Sequence, residues 1–211
     1  MNNTIKFVII AIPLIIVLSF LLALTVYETK PPKFVSLFII LPMVIPSGSI
    51  AGFFKEAFGS GTNNILETKY AMIIVVFLYI WRNTGYNFII YLASFSKIDR
   101  GIIEASEIDG ISYLGKIKHI FIPLTAPGTA FVGILSIINS FKIFKDIFII
   151  QGEYPNPSIY MMQHFLNNKF NFLKYEELTT AANIFTLMTL ILVFIFLRID
   201  RNYARKVGRL K

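Results

Sequence analysis

Five long apolar stretches decide the solvent in which this chain folds. They run Ile5 to Val26, Phe34 to Phe54, Tyr70 to Leu92, Ala126 to Ile150 and Thr179 to Leu197. About 20 helical residues at 1.5 Å rise cross a roughly 30 Å hydrocarbon core, so each stretch is long enough to span a bilayer. With no water to bond, a backbone in lipid must satisfy its own amides, and for single spans that means helix. The 211 residues are 55% hydrophobic with a mean hydropathy of +0.67, more than one globular core can hide. The expectation is an all-α, polytopic transmembrane bundle forming one domain over residues 1–211, with lipid as its main contact. The fourth stretch is interrupted in its second half by Lys142, Lys145 and Asp146.

The net charge of +8 does not point to nucleic acid, because the basic residues flank the spans and no aromatic-basic nucleic-acid motif occurs. Topology accounts for it better. If alternate loops share a side, twelve of the twenty basic residues fall together: Lys30, Lys33, Lys97, Arg100, Lys116, Lys118, Arg198, Arg201, Arg205, Lys206, Arg209 and Lys211. Lys6, Lys55, Lys69, Lys169 and Lys174 lie opposite, and three lie within spans. The positive-inside rule therefore predicts a multi-pass protein of the plasma or inner membrane, with the loop at 93–125 and the C-terminus cytoplasmic. Ile5 to Val26 is too long for a signal core and runs into Tyr27-Glu28-Thr29, not a small-residue cleavage site. The absence of cysteine excludes disulfides and thiolate metal sites. His119, alone in a basic segment, reads as a structural or solvated residue, and no metal site is expected.

Proline and glycine punctuate the spans. Pro31-Pro32 bounds the first turn, and Leu41-Pro42-Met43-Val44-Ile45-Pro46 opens the second span with two prolines on one helix face. Each removes a donor, so the helix should kink, either as a packing bend or as a break that lines a wet cavity. Gly48 and Gly52 have the spacing that lets helices approach closely. Gly59 to Thr68 reads as an external turn, and its glycines lack the lysine and setting of a phosphate-binding loop. Gly152 to Leu178 forms a second external segment, with a short amphipathic helix expected around Ile159 to Phe165.

Between the third and fourth spans, Ile98, Ile102, Ala105 and Ile108 recur at helical spacing, with Asp99, Glu104 and Glu107 off that stripe. Gly110 permits a sharp bend, and Pro123 is expected to close the following segment. The product is helix, elbow, helix, a shape that transmits a push if something grips it. An amphipathic helix of this kind otherwise lies on a membrane surface or on its own bundle. Here Glu104-Ala105-Ser106, three residues, Gly110, nine residues and Ile120-Phe121-Ile122-Pro123 closely resemble the cytoplasmic Glu-Ala-Ala loop of ABC-importer permeases. Ser106 stands in place of Ala and Ile122 in place of Leu.

The resemblance extends through Leu41-Pro42 to Ile45-Pro46, Trp81 to Tyr91, Ser140-Phe141-Lys142-Ile143-Phe144 and Ala181-Ala182 to the first-type permease subunit of carbohydrate ABC importers. It implies a pore-forming subunit with no chemistry of its own. A second permease subunit, cytoplasmic ATP-binding subunits and an extracytoplasmic solute-binding protein would be its partners, with ATP and Mg held by the ATPases and no cofactor by this chain. Glu104, Ala105, Asp109 and Gly110 would sit at or near the ATPase contact, with Ser106, Ile120 and Pro123 completing the coupling loop. Glu104 would pair with a basic residue of the partner or with Arg100 in its own helix. In the family the helix matching Ile5 to Val26 is normally the second, so the usual first helix is expected to be lacking. The external Gly-Gly-Pro is reduced to Gly152-Glu153-Tyr154-Pro155.

Polar side chains at membrane depth are costly unless buried in protein or wet. Tyr79, Arg82, Asn83, Tyr86 and Asn87 share one face of the third span, and Ser136, Asn139, Ser140 and Ile143 one face of the fourth. Singly, such residues read as glue between helices. Taken together, and with the resemblance, they read as a substrate path whose amides and hydroxyls bond sugar hydroxyls. Trp81 lies off the stripe, against lipid or a neighbour. Arg82 is expected to pair with Asp146 or a carboxylate of another subunit, or, with Lys142, to favour an anionic solute. The function expected is import of a carbohydrate, polyol or sugar phosphate. A permease for another solute stands as the alternative, as does a secondary transporter or channel, which would need repeats and acidic residues inside spans.

Overall fold

The computed structural model describes residues 1–59 and 65–208, with side chains followed as far as Arg198. Residues 60–64 of the expected turn at 59–68 and the basic side chains of Arg201, Arg205, Lys206, Arg209 and Lys211 lie outside the described residues. The described part is all-α, without a strand. Three helices are long and apolar enough to cross a membrane: α1 (Asn2–Thr29), α4 (Ala71–Phe95) and the Tyr175–Arg198 part of α10 (Tyr175–Gly208). Two bent pairs bring the total to as many as five where each pair is counted as one span.

The first bent pair is α2 (Lys33–Val44) and α3 (Ser47–Gly59), which meet at 90°. Pro42 is absorbed, buried, inside α2, and the break falls at the second proline. Ile45 is extended at φ −68°, ψ 131°, the conformation imposed on a residue before proline. The break, not the packing kink, is what forms. The second pair joins a short helical run, Tyr113–Leu124, to α8 (Ala126–Gln151) at 70°. Within that run α6 (Tyr113–Lys116) and α7 (Ile122–Leu124) are separated by a π-turn over Ile117–Phe121. Pro123 therefore does not close the segment as expected. The wider turn before it uncouples its hydrogen-free nitrogen from the carbonyl one turn back, and the bend comes at Thr125.

Side-chain bonds sort the loops into two ends. At one, Tyr113 donates to Glu28 at the end of α1 (2.8 Å), so the Glu104 loop lies beside the first turn. At the other, Asn3 donates to the Pro157 and Tyr160 carbonyls (2.6 and 3.1 Å), Met162 N–H to Thr4 Oγ1 (2.9 Å), and Gln151 to the Leu66 carbonyl (3.1 Å). This is the alternation that five spans require.

The central helix is α4, packed against α1, α2 and α8. An aromatic ladder forms its seam with α1: Phe7 meets Tyr79 edge-on at 5.3 Å, Phe20 meets Tyr91 at 5.4 Å, and Tyr27 lies 5.7 Å from Phe95. Trp81 packs against Phe54, 6.0 Å away. Glycine sets the close approaches, but not where the spacing suggested. Gly48 and Gly52 face open space. Gly85 does the work instead: a methyl there would stand 3.1 Å from Ile40 Cα and Met43 Sδ and 3.2 Å from the Ile39 carbonyl oxygen. Gly133 likewise receives the Phe196 ring from α10, and Gly128 the Ser94 side chain.

The amphipathic helix of the second external segment is α9 (Met162–Asn171), displaced toward the C-terminus of the expected Ile159 to Phe165. Ile159 is buried in the turn before it. His164 is fully buried between the rings of Phe144 (4.7 Å) and Tyr160 (5.5 Å), and its Nδ1 accepts from Met161 N–H. Burial among these groups pushes its pKa down to about 4.

Two outcomes follow from this packing. Gly85→Val should lower stability by about 1–3 kcal/mol through overpacking of α2 against α4, whereas Gly48→Ala should leave it unchanged; thermal unfolding in detergent reads both. His164 binds its proton more weakly folded than unfolded, so stability is full above pH ~6.5 and declines toward pH ~4, by up to about 1.4 kcal/mol per pH unit. Hydrogen exchange across α9 should show more frequent opening at pH 5 than at pH 7.5, and His164→Phe should abolish the difference.

Candidate functional site

A cavity of about 370 Å³ opens where α4 and α8 face the break between α2 and α3. Tyr79, Arg82, Asn83 and Tyr86 line it from α4; Asn139, Lys142, Ile143, Phe144, Lys145 and Asp146 line it from α8. Met43 and Ser47 reach it from either side of the break. The proline-induced bend thus places backbone ends and a hydroxyl at the cavity, where an unbroken helix would present an apolar face.

Of the nine residues assigned to the path from sequence, six line this cavity, while Asn87, Ser136 and Ser140 are absent from its lining. Those three are buried between or within helices. Asn87 Nδ2 donates to Ser136 Oγ (2.9 Å), and Ser140 Oγ donates back to the Ile137 carbonyl (2.6 Å). Tyr79 lines the cavity and also donates from its hydroxyl to the Ser136 carbonyl (2.7 Å). The stripes therefore divide, with one flank joining the helices and the other facing the space beside them. Lys145, Phe144, Met43 and Ser47 were missed as lining residues. A lysine within a span was signal enough for the first, but the other three depend on the bend.

Arg82 lies midway along α4 and pairs with Asp146 on α8, Nη1 standing 2.6 Å from Oδ1 and 2.7 Å from Oδ2. The Asp146 side chain is 3% exposed and that of Arg82 25%. The carboxylate is thus buried, while the guanidinium keeps one side toward the cavity. Lys142 donates to Asn139 Oδ1 (2.9 Å).

The second region is the Glu104 loop. Its helix, α5 (Arg100–Ile108), starts three residues later than the Lys97 start of the sequence pattern, because Asp99 caps it by accepting from Gly101 N–H (2.9 Å). It ends in a Schellman turn: Ile111 N–H bonds the Ser106 carbonyl (3.0 Å), Gly110 N–H bonds the Glu107 carbonyl (3.1 Å), and Gly110 takes φ +69°. The apolar stripe points away from the bundle. Ile102 and Ala105 are exposed and Ile108 is 87% exposed, while Ile98 and Ser106 are buried. Packing on its own bundle is thereby ruled out for Ile102, Ala105 and Ile108, while Ile98, which precedes the helix, joins the core with Phe95 and Phe121.

Glu104, Asp109 and Gly110 are exposed beside the stripe. Ile120 is buried and Pro123 half-buried, so these two anchor the elbow. Ser106, where the family pattern has Ala, keeps its hydroxyl satisfied on the Ile103 carbonyl (2.6 Å). Among the described residues Glu104 makes no ion pair, with Arg100 or otherwise; Glu107 instead pairs with Lys116 at 2.8 Å. His119 is exposed, with Nδ1 3.0 Å from the Gly115 carbonyl oxygen.

Fold and site together define an all-α bundle of membrane-length helices around a polar cavity, with an exposed, capped elbow. Residues 7–209 match the model of the binding-protein-dependent transport system inner membrane component, and the chain belongs to that family. It is 27% identical over 218 residues to the lactose transport system permease protein LacF of Rhizobium radiobacter, covering 92% of this chain and 73% of that protein. It is 28% identical to the sn-glycerol-3-phosphate transport system permease protein UgpA of Shigella dysenteriae serotype 1 (strain Sd197), over 66% of this chain and 52% of the relative. The fold matches a chain of a bacterial alginate ABC transporter solved in complex with an alginate pentasaccharide-bound periplasmic protein. There the TM-score is 0.80 at 19% identity, covering 97% of this chain and 78% of that one. A second structure, of an ABC transporter importing the acidic polysaccharide alginate, gives a TM-score of 0.78 at 20% identity. The sugar-permease resemblance of the loop and its flanks is thus shown by relatives across most of the chain.

Removing one partner of a buried ion pair strands the other charge, at about 3–5 kcal/mol. Asp146→Asn should therefore destabilise the protein strongly, and an Arg82→Met/Asp146→Leu double variant should recover most of the loss. A thermal-unfolding double-mutant cycle in detergent measures the coupling.

Proposed function

We propose that this chain forms half of the translocation path of an ABC importer for a carbohydrate or a related polyol or sugar phosphate, with the α4–α8 cavity on that path. ATP and Mg belong to separate ATPase subunits, and no chemistry is done by this chain. The observation that carries the reading is the outward-facing stripe of α5, held rigid at both ends yet left uncovered by its own bundle. The positive-inside count puts this loop and the C-terminus in the cytoplasm, where an ATPase would grip Glu104, Ala105, Asp109 and Gly110.

Force applied there has a defined route. The elbow continues through Tyr113–Leu124 into α8, which carries half of the cavity lining, and the Tyr113–Glu28 bond ties the same elbow to α1. Closure of an ATPase dimer would tilt α8 and α1 together and switch access between the two membrane faces. A second permease chain would close the open side of the cavity, and an extracytoplasmic solute-binding protein would deliver solute at the end formed by Met1, Leu66 and Tyr160.

Ala105→Cys should cross-link to an ATPase subunit in membranes that retain uptake. Gly110→Val, which forces a β-branched residue to φ +69°, should cut uptake at least tenfold at unchanged membrane abundance. Failure of Ala105→Cys to capture an ATPase while uptake persists would sink the proposal.

A further inference from the structure

The cavity has an imbalance that the ion pair does not cancel. Arg82, Lys142 and Lys145 line it, and among the described residues Asp146 is the one carboxylate that does. Both Asp146 oxygens are engaged by Arg82. Arg82 is thus neutralised, and a surplus of two positive charges rests on Lys142 and Lys145. Neither lysine makes an ion pair among the described residues, and both are exposed in this chain.

The hydrogen-bond inventory leans the same way. Asn139 Oδ1 accepts from Lys142 and both Asp146 oxygens from Arg82, so the one carboxylate and one of the two amide oxygens lining the cavity are committed. Ammonium donors, which have no acceptor capacity, remain. A neutral sugar needs donors and acceptors in similar number for its hydroxyls. An anion needs donors and positive charge. Lysines within a span are costly, and a chain retains them there where water or a counter-charge meets them. Lysine also suits transient holding, being a compact, strongly hydrated point charge that does not clamp an oxyanion in two places as arginine does.

We infer that Lys142 and Lys145 make this cavity selective for an anionic solute, a phosphate or carboxylate ester or acid of a polyol or sugar, and that Arg82 is a positioning residue which holds α8 against α4. This rests on the cavity being part of the translocation path. The lysines set specificity; the ion pair sets where they stand.

The test is ATP-dependent uptake by the complete complex, assembled with its own second permease, ATPase and solute-binding protein in proteoliposomes. The probes are glycerol 3-phosphate, glucose 6-phosphate and glucuronate, against glycerol, glucose and lactose. Expected is uptake of at least one anionic probe, lowered tenfold or more by Lys142→Gln/Lys145→Gln and kept within about threefold by Lys142→Arg/Lys145→Arg. Uptake confined to neutral probes overturns the inference while leaving the permease reading intact. So does anion uptake indifferent to the glutamine variant. If the glutamine variant fails to assemble, the lysines pair with carboxylates of the second subunit, which also overturns it. An assembled complex that moves no probe of either kind in response to ATP counts against the proposed carbohydrate, polyol or sugar-phosphate class of solute.

Discussion

The contact on which the rest of this bundle depends is the polar cross-brace between α4 and α8. Lipid tails are as apolar as leucine side chains, so water gives helices in a membrane little reason to associate, and specific polar bonds fix which faces meet. Three such bonds cross here: Tyr79 to the Ser136 carbonyl, Asn87 to Ser136 Oγ, and Arg82 to Asp146. The first two are neutral and buried. The third carries charge, and its cost is offset only while both partners are present. Together they fix the azimuth of α8, and with it the direction in which Asn139, Lys142 and Lys145 point.

That azimuth explains why a cavity forms beside the brace. Residues at one helical spacing are consumed by the joint, and their neighbours one position round are left facing the gap. Tyr79 stands at the boundary and does both. The gap stays open because α2 cannot run straight past it: the break before Pro46 turns α3 away at 90°. Meanwhile Gly85 lets α2 come close enough to α4 to bring Met43 and Ser47 to the cavity mouth. A proline and a glycine, distant in sequence, thus shape the same space.

Much of this was legible in the sequence. The all-α class and its long apolar helices came from hydropathy, and the helix-elbow-helix shape from its spacing. The cost of a lone charge at depth called for a partner to Arg82, with Asp146 named beside a carboxylate of another subunit, and Asp146 is the one that pairs. What was hidden has a common cause: it depends on which helix lies opposite. Gly48 and Gly52 have the right spacing but face nothing, whereas Gly85 and Gly133 have no local signature and meet Met43 and Phe196. Periodicity put Asn87 and Ser140 on the same stripes as Asn83 and Asn139, yet it does not say where along a stripe a joint ends and a cavity begins. Pro123 misled because its local rule, a barrier to preceding helix, was relieved by a π-turn that only the surrounding fold selects.

The elbow poses the sharpest energetic question, since α5 is amphipathic in the wrong sense for a bundle that ended with this chain. A nine-residue helix is marginal in isolation, and its stripe of Ile102, Ala105 and Ile108 gains nothing from its own bundle. Its order comes from its ends and its far side: the Asp99 cap, the Schellman turn at Gly110, the Lys116–Glu107 pair, and Ile98 and Ser106 seated inward. Ordering thus completed before any partner arrives need not be supplied at the moment of docking, when lost side-chain and loop freedom would otherwise subtract from affinity. A loop ordered only on contact would absorb a push as bending. One already stiff passes the displacement to whatever it is joined to, and this one is joined to α8 through the helical run Tyr113–Leu124 and its bend at Thr125, and to α1 through Tyr113 and Glu28. The same features that leave an apolar ridge uncovered therefore let a force on that ridge reach the cavity lining.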